Sequence, residues 1–331
     1  MKVCIVGSLN TDMVISTPHI PNRGETVFGE KLDMLPGGRG ANAVTTLSKL
    51  GKEGMLIGCI GHDSFGDDLL TELRKNQVNI SHIKRTMQAS TGTTIIMIDD
   101  VAVNTMVGMR GANSYLSPED IDKAVNGFED YGILLAQMEM PEETIVHAMQ
   151  EAKKNNVLVV LDPKPAKNIT MKVLEATDII IPNEQETKYM TGIEIKNIDD
   201  AIQAGRYFES LGISQSIIKM GQRGALVYTP TRIEHVAAIP VKVVDSVVGG
   251  AFSGALACAL LEGKDIFKAT RFACVVSALK VTRFGAQIGI PTLEELNEFI
   301  EENNLYEYLN GFTGRLTNNI YHSKNEELEK N

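Results

Sequence analysis

Residues 243–263 read VVDSVVGGAFSGALACALLEG. The pair Gly249 and Gly250 opens an apolar run rich in Ala and Leu, the pattern of a tight turn feeding a buried helix whose first N–H groups have no partner inside the helix. Such a terminus suits an anion, because unpaired N–H groups and the helix dipole both favour negative charge. Outward from it, apolar runs alternate with helical patterns. Helices are expected over 118–128, 142–155 and 264–282, and strands over 133–136, 157–161, 178–181 and 216–219. That rhythm predicts a mostly parallel sheet covered on both faces. At the other end of the chain, KVCIVG at 2–7 has the continuous apolar character of a strand buried on both faces, and it delivers Ser8, Asn10 and Asp12 to a carboxyl edge. Open α/β sheets bind ligands at that edge.

Composition narrows the partners. The chain has 331 residues, 43% of them hydrophobic, enough to bury a large core. A formal net charge of −10 leaves no basic stripe for nucleic acid, so small molecules or proteins are the expected partners. Cys4, Cys59, Cys258 and Cys274 all sit in apolar runs, as buried thiols would in a reducing, cytoplasmic setting. The six histidines show no metal-ligand spacing. No apolar run approaches the roughly 20 residues of a membrane span.

Other punctuation marks turns. Residues 13–35 are β-rich pieces broken by Pro18, Pro21 and Gly29, and residues 91–107 are β-rich again. The two pieces are expected to pair as a small lid, with Val101 and Val103 exposed in its connection. PGGRGAN at 36–42 is a glycine-rich turn entering a helix, and GHDSFG at 61–66 is another, in which His62 and Asp63 suit turn and cap roles. Asn10 and Asp12 fit either an Asx turn or a reader of vicinal hydroxyls. Glu139 follows a strand and suits a first-turn helix charge equally well. Asn183 and Glu186, three apart after a strand, fit a capping box or two groups aimed together at a ligand.

GGRGAN at 37–42 resembles the first signature of the ribokinase (PfkB) family of carbohydrate kinases, and residues 245–255 resemble its second, Asp-Thr-x-x-Ala-Gly-Asp-Thr-Phe-x-Gly-Ala. The resemblance covers roughly residues 1–300. It implies a three-layer α/β/α fold with a mostly parallel central sheet and a small β-sheet lid. The core would be residues 1–12, 37–90 and 109–302, the lid 13–36 and 91–108, and 303–331 a polar extension. It implies phosphorylation by ATP, with Mg2+, of the 5-hydroxyl of D-ribose or a similar small sugar. Asn10, Asp12, Gly38, Asn42 and Glu139 would hold the sugar. Asn183, Lys219, Gly221, Gly224 and Cys274 would hold the nucleotide, Glu186 the magnesium through water, and Gly249 and Gly250 the transferred phosphoryl group. A K+ ion would lie among Asp245, Val247, Lys280, Arg283, Gly285 and Gly289. A homodimer would form through the lid.

The second signature departs from the family in one respect that bears on chemistry. It is one residue short, and the aspartate that acts as general base in the family falls at Gly250 or Ala251, depending on the end from which one counts. Neither can accept a proton. General-base catalysis is worth about 10²–10⁴-fold, so the resemblance implies an enzyme of low or lost activity. The alternatives are a pseudokinase that binds sugar or nucleotide without turnover, and a nucleoside kinase. Glu262 sits too far along the same helix to substitute, roughly 16 Å away at 1.5 Å per residue.

Overall fold

The computed structural model describes residues 1–100, 104–125, 128–245, 248–306, 308 and 309. Within them the elements run β1 (Lys2–Val6), β2 (Asn10–Ser16), β3 (Lys31–Gly37), α1 (Arg39–Lys49), β4 (Gly54–Gly61), α2 (Ser64–Lys75), β5 (Ile83–Thr86), β6 (Gly92–Ile98), β7 (Asn104–Met109), α3 (Pro118–Ala124), β8 (Tyr131–Gln137), α4 (Glu142–Lys154), β9 (Leu158–Asp162), α5 (Met171–Glu175), β10 (Ile179–Ile180), α6 (Glu184–Thr191), α7 (Ile198–Ser210), β11 (Gln215–Lys219), β12 (Ala225–Tyr228), β13 (Ile233–Val236), α8 (Gly249–Leu261), α9 (Ile266–Val281) and α10 (Leu293–Glu302).

Two sheets result. The larger has the order β13-β12-β11-β10-β9-β8-β1-β4-β5, parallel from β11 to β5 and closed at its other edge by the antiparallel β11–β12–β13 meander. The smaller has the order β3-β2-β6-β7. The alternation of a strand explains the layers: in β1, Val3 and Ile5 pack into a core shared with α1, α8 and α9, while Cys4 and Val6 pack into a second core shared with α3 and α4. A strand with both faces buried has to be apolar throughout, which is why KVCIV carries no alternation.

Caps fix several helix ends. Asp63 accepts from the Gly66 N–H at 2.9 Å, the cap role expected of it, and also takes the Thr91 N–H and hydroxyl. Asn183, Asn197 and Thr292 each close a capping box.

Some boundaries differ from expectation. The helix expected over 118–128 stops at Ala124, because Val125 is extended and Phe128 turns at φ 53° to bury its ring. The strand expected over 178–181 is regular only at Ile179 and Ile180, although the Asp178 and Ile181 N–H groups also donate to β9, to the Val159 and Leu161 carbonyls. Residues 10–12 and 37, assigned by sequence to the core, belong to strands β2 and β3 of the smaller sheet. The extension expected from 303 starts inside the packed chain: Leu305 and Leu309 are buried, and the Tyr308 hydroxyl donates to the Ala237 carbonyl at 2.7 Å. Val101, Val103 and residues 310–331 lie outside the described residues. No helix among the described residues is long and apolar enough to cross a membrane.

Candidate functional site

The glycine-rich turn is folded onto the end of β1. The Arg39 N–H donates to Ser8 Oγ and the Ala41 N–H to the Ser8 carbonyl, both at 3.1 Å. Gly38 has φ 93°, a backbone region that side chains rarely enter. At Gly37 a Cβ would lie 2.2 Å from Asp12 Oδ2, so only glycine lets that carboxylate rest against the turn. Asn10, Asp12, Gly38 and Asn42 therefore meet at the carboxyl edge of β1. Asn10 accepts from Asn113 Nδ2 at 2.9 Å. Asn42 Oδ1 is buried with no hydrogen-bond partner among the described residues, an acceptor held ready for a donor.

Burial is the chief reason that the Asp12 carboxyl is pushed up to about 6; Glu139 and Asp245 add to the shift, and the Thr94 hydroxyl and Lys164 oppose it. Glu139 thus shares one electrostatic neighbourhood with Asp12, as do Lys164 and Asp245.

Helix α8 begins at Gly249, and its first intrahelical bond is Phe252 N–H to the Val248 carbonyl at 3.0 Å. Val248 offers no side-chain cap and the first turn holds no acid. Against this terminus lies Arg39: a Cβ on Gly249 would sit 3.0 Å from its guanidinium carbon. Arg39 pairs with Asp162 Oδ1 at 2.7 Å and reaches Glu186 Oε1 at 3.5 Å. Lys219 reaches the same Asp162 oxygen at 3.3 Å and lies 5.7 Å from the centre of the Phe252 ring. Burial opposes ionisation of Asp162, but Arg39 and Lys219 outweigh it and hold the carboxyl below the usual carboxylate range. The Arg39 charge, with burial second, lowers Lys164. Asp162 Oδ2 is buried without a partner among the described residues. Arg39 thus lies against a helix N-terminus that no side chain caps among the described residues, with Lys219 on the same Asp162 oxygen and Lys164 in the electrostatic neighbourhood of Arg39, an arrangement suited to an anion of several charges.

Asn183 and Glu186 close their capping box through two 2.8 Å bonds, so the capping role is realised. Only Glu186 Oε2 is used in it; Oε1 faces Arg39. Gly221 and Gly224, at φ 56° and 86°, form the turn between β11 and β12, where Met220 N–H donates to the Gly224 carbonyl at 2.7 Å. Cys274 is buried in α9, and burial pushes its thiol up to about 12.

The residues expected to hold K+ are arranged otherwise. Asp245 Oδ2 accepts from the Lys280 ammonium at 3.0 Å and from the Gly285 N–H at 3.1 Å. The Lys280 carbonyl accepts from the Arg283 N–H and the Gly285 carbonyl from the Gly289 N–H, both at 3.0 Å. Val247 lies outside the described residues. Asp245 Oδ2 thus already takes two donors, one of them an ammonium, and the Lys280 and Gly285 carbonyls each accept an N–H, so this set does not fit the ion.

Sequence reasoning gave no role to Arg39, Asn113, Gln137, Asp162 or Lys164. Asn113 accepts from the Leu9 N–H at 3.0 Å and donates to the Leu9 carbonyl at 3.1 Å, joining the two sheets. Gln137 ends β8 beside Asp162 in register, and both its amide atoms are buried without partners among the described residues. A usable signal was present: Gln137 and Asp162 are the polar residues that end apolar strand runs, at the edge where such sheets bind ligands.

Residues 1–293 match the profile of the pfkB family carbohydrate kinase. The ribokinase of Haemophilus influenzae is 35% identical over 298 residues, covering 90% of this chain and 97% of that one. The deoxyribokinase of Salmonella typhimurium is 31% identical over 305 residues, covering 92% of this chain and 100% of the other. The structure of Arabidopsis thaliana ribokinase complexed with ribose and ATP superposes with a TM-score of 0.82 at 27% identity, covering 91% of this chain and 98% of that one. The fold is accordingly the ribokinase-like α/β fold, and the chain belongs to the pfkB family of carbohydrate kinases.

Proposed function

We propose that this chain binds D-ribose or a similar small sugar together with ATP, as a ribokinase-type sugar kinase whose phosphoryl transfer to the 5-hydroxyl is slow or lost. The observation that carries the binding half is that the glycine-rich turn at 37–38 has the Asp12 carboxylate resting against it and leads into α1, where Asn42 Oδ1 is buried without a partner among the described residues. A sugar offers adjacent hydroxyls that donate to both. Glu139 would lie at the anomeric end. The triphosphate would sit at the N-terminus of α8 among Arg39, Lys164 and Lys219. The nucleoside would follow the Gly221–Gly224 turn beside Asn183, Lys219 and Cys274.

Magnesium fits the residues present. Glu186 Oε1 and the orphaned Asp162 Oδ2 are two carboxylate oxygens near the proposed phosphate site, and an ion held partly through water and phosphate needs no more. When bound, it neutralises charge on the phosphate oxygens. The chain's own part is positional: the N–H groups of α8 and the three cations hold the oxygens on which charge accumulates, and the smaller sheet excludes water.

The slow-or-lost half rests on the absence of an acid at the head of α8. Of the nearby candidates, Asp245 is engaged by Lys280, and Glu262 pairs with Lys52 at 2.6 Å at the far end of the helix. The same observation favours the pseudokinase reading, which differs only in turnover. Leu32, Met34, Val107 and Met109, exposed on the smaller sheet, support a homodimer through it.

The test is a coupled assay of ADP release with ATP, Mg2+ and D-ribose, beside calorimetric titration of ribose. A variant with one residue inserted to rebuild the Ala-Gly-Asp turn is run in parallel. Binding without turnover, with turnover restored by the insertion, supports the reading. Turnover by the chain as it stands at an ordinary kinase rate refutes the loss of the base, and absence of ribose binding refutes the sugar site.

A further inference from the structure

Lys280 is wholly excluded from solvent, one of the largest fully buried side chains among the described residues. Lysine is almost never fully buried unless paired, and here its ammonium meets Asp245 Oδ2 at 3.0 Å. Asp245 belongs to a strap that also docks through its backbone: the N–H groups of Val244 and Asp245 both donate to the Val281 carbonyl, at 2.7 and 3.1 Å. Strap, carboxylate and the end of α9 are one unit, and four residues beyond Asp245 helix α8 begins.

Three further contacts bear on what this unit can hold. The same Asp245 oxygen takes the Gly285 N–H, so two positively polarised donors already converge on it. The carbonyls of Gly285, Arg283 and Phe284 crowd Gly289: a Cβ there would lie 2.7, 3.1 and 3.2 Å from them. The turn therefore admits no side chain at 289, and no hydroxyl is supplied at that point. The carbonyls of Lys280 and Gly285 already accept backbone N–H groups.

We propose that the Lys280 ammonium is a built-in substitute for a dissociable monovalent cation, supplying permanently, on a tether, the single positive charge that Asp245 requires. The strap ahead of α8 is then set by the chain itself and is indifferent to K+ concentration. The proposal goes beyond the sugar-kinase reading, and its test uses stability rather than turnover, so either can fail without the other.

The experiment is thermal unfolding of the full chain in KCl, NaCl and choline chloride at equal ionic strength. The wild type is expected to give one Tm in all three. A saturable rise in its Tm with K+ over Na+ and choline overturns the proposal without any variant. Lys280→Ala, which removes the ammonium and leaves room, is expected to melt lower in choline chloride and to recover saturably with K+; failure to recover, or a Tm equal to that of the wild type, overturns it. Should that variant not fold, the cycle of Lys280→Met, Asp245→Asn and their double variant replaces it. The double variant is expected to be more stable than Lys280→Met, and simple additivity overturns the pairing.

Discussion

Replacing Gly250 by alanine adds one methyl group at the seam between α8 and α1. That Cβ would lie 2.5 Å from Asn42 Cβ, 3.0 Å from the Arg39 carbonyl and 3.3 Å from the Ala43 nitrogen. Two of these atoms are backbone, and the third is the root of a buried side chain, so none can swing away. Overpacking of this kind costs about 1–3 kcal/mol, against a gain of up to about 1 kcal/mol from alanine in a helix. At 2–4 °C per kcal/mol for a protein somewhat smaller than this one, the uncompensated cost is a Tm lowered by roughly 2–12 °C. The neighbouring substitution serves as its comparison: at Gly249 the Cβ meets only the Arg39 guanidinium, a side-chain end that is nonetheless held by Asp162, so Gly249→Ala is expected to cost less than Gly250→Ala. Differential scanning fluorimetry on the two variants checks the pair. The same crowding applies to Gly250→Asp, which is expected to lose stability and gain no turnover, in contrast to the one-residue insertion. A Gly250→Asp protein that melts with the wild type and turns over at a kinase rate would refute the packing argument and show that 250 is the place of the missing base.

Three other expectations follow, two at the site and one on the exposed face of the smaller sheet. The Asp12 carboxyl is raised to about 6, so the native state holds its proton more tightly than the unfolded chain. Its burden on stability is absent below about pH 4, grows as pH rises to about 6, and reaches about 3 kcal/mol above that. Asp12→Asn should therefore exceed the wild type in urea stability at pH 7.5 by more than at pH 4.5 while losing ribose affinity; an equal margin at both would count against the shift. Arg39→Met leaves Asp162 with Lys219 alone, and is expected to cost about 3 kcal/mol, the low end for a broken buried pair, together with ATP affinity, read by urea unfolding and calorimetry. Val107→Glu places a charge on the exposed face of the smaller sheet and should shift a homodimer to monomer in light scattering, leaving Tm of the monomer unchanged.

Much of the architecture was legible because buried parallel strands must be apolar on both faces, so KVCIV and ILLA announce themselves. That Asp12 and Asn10 would lie against the turn at 37–38 was legible through the glycines that admit them. Arg39 stood in plain view inside GGRGAN, yet its partners Asp162 and Glu186 are 123 and 147 residues away, and nothing local encodes such a pairing. Lys280 misled for a related reason: it was expected among the K+ ligands, and only the fold shows its ammonium meeting the strap of Asp245. The lid boundaries slipped because β2 continues almost without pause from β1, so no turn signal separates the two sheets.

The chain passes between the two sheets at four places, near Leu9, Gly38, Thr91 and Arg110, and Asn113 ties Leu9, Asn10 and Arg110 with its one amide. A swing of the smaller sheet about these crossings would leave Asn10 nearly still while carrying Asp12, two residues farther out, along the arc. A ligand held by both residues spans a pivot and a moving arm. Its hydroxyls would then act as a latch, so the length of time that the sheet stays shut would be set by the same contacts that choose the ligand.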